Sequence, residues 1–130
     1  MNRHKKRVEE MTEKEKRLQQ QLYDANYDQK LIEERSVAKD LCFQYNQLLP
    51  SDVDAQQQLM KKLLGKTKDS FCIMAPFWCD YGYNIEVGEN FFANHNTVIL
   101  DGGKVTFGDN VFIAPNCGFH TAGHPIDFER

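Results

Sequence analysis

The hydrophobic pattern of this chain changes period once, near residue 70. Before that point apolar positions recur at helical spacing. Leu18 and Leu22 share one face at i, i+4, and Thr12 with Glu15 makes a capping-box pattern ahead of them. Val37, Leu41, Tyr45 and Leu48 form a further stripe, with Ala38 and Cys42 beside it. Pro50 closes that helix. Ser51 is placed to cap the next one, with Asp52 and Asp54 suited to the positive end of its dipole. Leu59, Met60, Leu63 and Leu64 give a third helix its buried side, and Gly65 ends it. The pattern predicts three short helices between Thr12 and Leu64.

From Phe71 the helical spacing stops, and aromatic and β-branched residues alternate with Gly, Asn and Asp. A turn-forming residue recurs every six positions at Asn84, Asn90, Asn96 and Gly102, then at Asn110 and Asn116 after two extra residues. Asn and Gly tolerate positive φ most cheaply, so each marks a corner. Three positions after the corners stand Val87, Ala93, Ile99, Val105, Ile113 and Phe119, with Phe107 restarting the column. One inward anchor per short strand is the signature of a parallel β-helix built from hexapeptide repeats. Three six-residue sides give a coil of 18, and Asp101-Gly102-Gly103 is the expected corner for the insertion. The predicted fold class is α+β. A polar tail spans 1–10, a helical cap 11–68, and the first coils of the solenoid 69–130, which is read as incomplete at its C-terminal end.

Composition narrows the picture. Among 130 residues, 41% are hydrophobic and 12% aromatic, as in a globular protein. The net charge of −3 gives no general attraction to nucleic acid. The basic run Arg3–Arg7 has no interleaved aromatic to stack on bases, and reads as a solvated terminus. No apolar run approaches the ~18 residues of a membrane span, and the charged N-terminus is unlike a secretory signal. Cys42, Cys72, Cys79 and Cys117 make no CxxC pair, which points to free thiols in a reducing cytoplasm.

His124 is the leading candidate for chemistry. It lies in Thr121-Ala122-Gly123-His124-Pro125, where Pro125 favours an extended backbone and Gly123 permits a sharp departure from the coil. An imidazole held off a rigid wall suits a general base near neutral pH. From the residue alone, a loop histidine with no chemical duty fits as well. Cys117, His120 and His124 read C-x2-H-x3-H, with His95 about one coil earlier, so a zinc site of the gamma carbonic anhydrase kind is an alternative. Strand alternation sets His120 opposite to Cys117 and Phe119, which argues against convergence.

Residues 11–130 resemble the maltose/galactoside O-acetyltransferase family of hexapeptide-repeat enzymes. The resemblance runs through Leu22-Tyr23-Asp24-Ala25-Asn26, Phe43-Gln44-Tyr45-Asn46, Cys79-Asp80-Tyr81-Gly82-Tyr83-Asn84-Ile85 and Asn90-Phe91-Phe92-Ala93-Asn94. It closes with Gly108–Asn116 and Gly123-His124-Pro125. It implies a left-handed β-helix, a homotrimer with sites between subunits, and acetyl transfer from acetyl-CoA to a sugar hydroxyl. His124 matches the catalytic base, and no metal is implied. Asp80 and Asn94 match acceptor-binding positions. An acid from the cap also belongs there, with Asp24 chosen and Asp28 nearly as good. Asp101 is set aside as a corner residue. Family members continue for several more coils, which hold most of the acetyl-CoA contacts. An inactive truncated remnant or an assembly piece is therefore the alternative function. Phe77, Trp78, Tyr81, Phe91 and Phe92 either line a sugar site or fill the junction of cap and coil; the latter is expected for Phe91 and Phe92.

Overall fold

The computed structural model describes Lys14 and residues 28–121. Two helices and eight strands stand among the described residues. Helix α1 is Gln29–Asn46 and α2 is Val53–Leu63. The strands are β1 (Phe71–Ile73), β2 (Phe77–Cys79), β3 (Ile85–Glu86), β4 (Phe91–Ala93), β5 (Thr97–Leu100), β6 (Val105–Thr106), β7 (Phe112–Ile113) and β8 (Gly118–His120). The first expected helix, with Leu18 and Leu22, lies outside the described residues apart from Lys14.

Strands three elements apart pair in parallel, giving sheets β1-β4-β7, β2-β5-β8 and β3-β6. Each register advances by 20 residues: Phe71 faces Phe91, Phe77 faces Thr97, and Ile85 faces Val105. The result is a three-sided stacked coil. Inward residues alternate with outward ones along each strand. Ile73, Ala93 and Ile113 therefore stack in one column, and Cys79, Ile99 and Phe119 in another. Core aromatics follow the same stacking, with Phe91 and Phe107 ring centroids 5.1 Å apart.

The coil of 20 corrects the expected coil of 18. Two extra residues enter every coil at the same side, between β2 and β3 and again between β5 and β6. The six-residue series starts at Asn84, just past the insertion between β2 and β3, so it registers only the one between β5 and β6. Asn90, Asn96, Asn110 and Asn116 hold left-handed φ of 57° to 66°, as their spacing predicts. Asn84 and Gly102 do not, and Gly82 does, with φ 85°. Phe107, not Val105, is the anchor matching Val87; Val105 instead pairs with Ile85. Successive corner asparagines also bond side chain to side chain, Asn96 Nδ2 to Asn116 Oδ1 at 2.8 Å. Asn96→Val is expected to cost about 1–2 kcal/mol in urea unfolding, and Asn96→Gly clearly less, because a β-branched side chain crowds the left-handed backbone.

The cap closes the open edge beneath the first coil. A bare rung would leave a row of unpaired N–H and C=O groups. Asn46 supplies both partners to β2: its Nδ2 donates to Phe77 O at 3.0 Å and its Oδ1 accepts from Phe77 N at 2.8 Å. Gln57 Nε2 donates to Phe71 O at 2.6 Å, and the Tyr45 hydroxyl donates to Ile73 O. Under β3, Lys66 pairs with Glu86 as a single parallel bridge. Side-chain amides and one short backbone segment thus stand in for a missing rung.

The cap departs from expectation in three places. The buried face of α1 is Leu31, Ala38, Cys42 and Tyr45, while Val37 is 61% exposed. The cap of α2 is Asp52, accepting from Ala55 N at 3.3 Å, rather than Ser51. Gly65 follows α2 without a left-handed φ; a close approach of backbone explains it instead. In the coil, Phe91 is buried as expected, but Phe92 points outward and stacks on exposed Phe112 with centroids 4.6 Å apart.

Candidate functional site

A dense set of polar contacts fixes the corner between β2 and β3. Asp101 is fully buried, and its carboxylate collects four backbone amides from the coil beneath. Oδ1 accepts from Asp80 N at 3.0 Å and Tyr81 N at 2.8 Å; Oδ2 accepts from Gly82 N at 2.7 Å and Asn84 N at 3.3 Å. Asn84 Nδ2 returns a bond to Asp101 O at 2.8 Å. Burial pushes the Asp101 carboxyl above its ordinary value, against these amides, which favour the anion. Asp101 is thus a corner residue, as expected, and the corner it organises carries Asp80.

Asp80 stands at the end of β2, its side chain 24% exposed. Lys39 reaches it from α1: Nζ lies 3.5 Å from Asp80 Oδ1 and donates to Cys79 O. Beside this corner Arg35 Nη1 donates to the Tyr81 hydroxyl at 2.8 Å, and the Tyr83 hydroxyl donates to Glu34 Oε1 at 2.7 Å. Lys14 pairs with Glu34 at 2.8 Å and sits 4.8 Å from the Tyr83 ring centroid. An adjoining groove of about 420 Å³ lies between the helices and Tyr81 and Tyr83, with Val37, Leu41 and Leu63 in its wall.

Asn94 follows β4, on a different face of the prism. Its Oδ1 accepts from His95 N at 2.8 Å, and its carbonyl accepts from Thr97 Oγ1 at 3.0 Å. The β2-β5-β8 face separates Asn94 from Asp80: Asn94 precedes β5, and Asp80 follows β2. His124 and Asp24 lie outside the described residues. Asp28, the other acid considered, is committed elsewhere: its carboxylate caps α1, accepting from Leu31 N at 3.0 Å.

The described residues gather no cluster of three or more metal-ligating side chains. His120 is exposed, whereas Cys117 packs partly into the core, as strand alternation requires. All four cysteines are free. Cys42 and Cys79 meet in the core at 3.7 Å between sulfurs, where their mutual hydrogen bond and burial push the Cys79 thiol up. Lys39 is not apparent from sequence, because it lies 41 residues from its partner on an otherwise ordinary polar helix face.

A helical cap beneath a three-sided coil of short parallel strands defines a capped hexapeptide-repeat protein. The family described as the maltose acetyltransferase hexapeptide capping motif matches residues 16–68. YJL218W of Saccharomyces cerevisiae, an acetyltransferase by name, is 57% identical over 110 residues, covering 85% of this chain and 56% of its own. A maltose O-acetyltransferase of Clostridium difficile 630 superposes with a TM-score of 0.85 at 43% identity, over 92% of this chain and 63% of the other. A galactoside acetyltransferase in complex with coenzyme A gives 0.85 at 34% identity, over 92% and 59%. The chain carries the maltose acetyltransferase capping motif and is similar to the maltose and galactoside O-acetyltransferases of the hexapeptide-repeat type. It spans 56% of the yeast relative's length.

Proposed function

We propose that this chain carries the acceptor wall and the general base of an acetyl-CoA-dependent sugar O-acetyltransferase. The observation that carries the reading is the Asp80 carboxylate at a corner clamped by Asp101. A hydroxyl-rich ligand needs a fixed acceptor, and four amides fix this one's backbone. His124 is the proposed base through the family resemblance of Gly123-His124-Pro125. Thr121, three residues earlier, is tied to Leu100 O through its hydroxyl at 2.7 Å.

In the proposed reaction His124 takes the proton of the acceptor hydroxyl as that oxygen attacks the thioester carbonyl. The C–S bond breaks, and the coenzyme A thiolate leaves and takes up a proton. Direct transfer requires no nucleophilic cysteine, consistent with the burial of Cys42 and Cys79. The separation of Asp80 from Asn94 supports sites shared between subunits of a left-handed, trimeric assembly, each face being completed by a neighbour. Free thiols support a cytoplasmic setting. A neutral mono- or disaccharide of the maltose, glucose or galactoside type is the proposed acceptor.

The test is release of coenzyme A thiol from acetyl-CoA with each of these sugars. His124→Ala is expected to lower turnover about 10²- to 10⁴-fold, the usual worth of a general base. A wild-type chain that neither turns over nor binds acetyl-CoA would sink the proposal.

A further inference from the structure

A carboxylate can accept from sugar hydroxyls without a cation beside it. Lys39 provides one, and its position is fixed independently of Asp80. Its Nζ is anchored on Cys79 O, while the Asp80 amide is held by Asp101 Oδ1 at 3.0 Å. The two charges are therefore presented together at 3.5 Å, with side chains 43% and 24% exposed, where an incoming ligand meets both. A lone carboxylate accepts bonds from hydroxyl and ammonium groups alike, but pulls the ammonium harder through its charge. A lysine at this distance cancels most of that extra pull and leaves the lone pairs available to hydroxyls. Lys39 also comes from the cap rather than the coil, so the charge balance of Asp80 is set by an element that contributes none of the strand backbone.

We infer that Lys39 is a specificity-determining residue: by neutralising the field of Asp80, it makes the site take uncharged sugars and turn away amino sugars. The inference rests on the acceptor role proposed for Asp80. It is tested on the full chain by saturation-transfer NMR with glucose and glucosamine at about pH 6, where the amine is protonated. The readout is the ratio of the two dissociation constants. Lys39→Gln is expected to shift that ratio toward glucosamine about fivefold or more, from the loss of one opposing charge within a few ångströms. Lys39→Arg is expected to keep the wild-type ratio, which a merely structural loss at Lys39 would not explain. If Asp80→Asn abolishes sugar binding while Lys39→Gln leaves the ratio unchanged, the inference is overturned and the acceptor reading stands. If neither sugar binds, or Asp80→Asn changes nothing, the acceptor reading falls and takes this inference with it.

Discussion

Asp101→Ala is expected to destabilise the fold by roughly 3 kcal/mol or more, read as a lower urea midpoint at constant m-value. The size follows from the number of groups orphaned. One carboxylate serves the amides of Asp80, Tyr81, Gly82 and Asn84, and removing it strips all four of their partner at once. Each buried unpaired donor costs about 1–3 kcal/mol, and water entering the gap recovers part of that. The effect carries a pH signature. Burial sets the folded carboxyl above its ordinary 3.8, so just above that pH the folded form keeps a proton that the unfolded chain has released. Stability contributed by Asp101 is then full below 3.8 and falls as pH rises through the folded value. The wild type is expected to show that slope and the variant to lack it. Equal slopes in the two proteins would refute this account.

Gly65→Ala is the other large expected loss, about 3 kcal/mol. A Cβ on Gly65 would lie 2.1 Å from Tyr83 O and 2.9 Å from Tyr83 C, inside any tolerable contact. Both groups are backbone, and no rotamer change relieves them. Gly65 N also bonds Gly82 O at 3.1 Å and Ile85 O at 3.0 Å, so the cap cannot back away without losing its seat under the first coil. Overpacking typically costs about 1–3 kcal/mol, and a rigid backbone partner puts this case at the upper end. Gly103→Ala is the control: its Cβ would meet Thr121 Cβ at 3.4 Å, an ordinary contact. Near-equal melting temperatures for the two variants would contradict the argument.

The corners of the solenoid were legible in the sequence because left-handed backbone excludes most residue types. Asn90, Asn96, Asn110 and Asn116 each sit where only such a residue is cheap. Inward anchors were legible for the related reason that a two-residue alternation leaves little choice of face. The true period was harder to read, because the insertion at Asp80–Tyr83 consists of residues that also suit a strand end. The buried face of α1 departs from the sequence pattern by one helical position at Val37, since a helix stripe shows its breadth but not the neighbour it will meet. Asp80 and Asn94 became candidates through the family resemblance. The ties that fix Asp80 were not visible, because Lys39 and Asp101 approach it from 41 and 21 residues away. Such pairings are created by the coil's pitch and the cap's docking, and no local pattern encodes them.

Lodging the surplus residues of each turn at one edge has a consequence for variation. Two edges of the prism are tight bends led by asparagine, where adding or deleting a residue would rotate every later side chain to the wrong face. The third edge alone holds slack. Changes in loop length there leave the stacked columns aligned, so that single seam is free to lengthen, shorten or trade side chains around Asp80 while the rest of the molecule stays constrained.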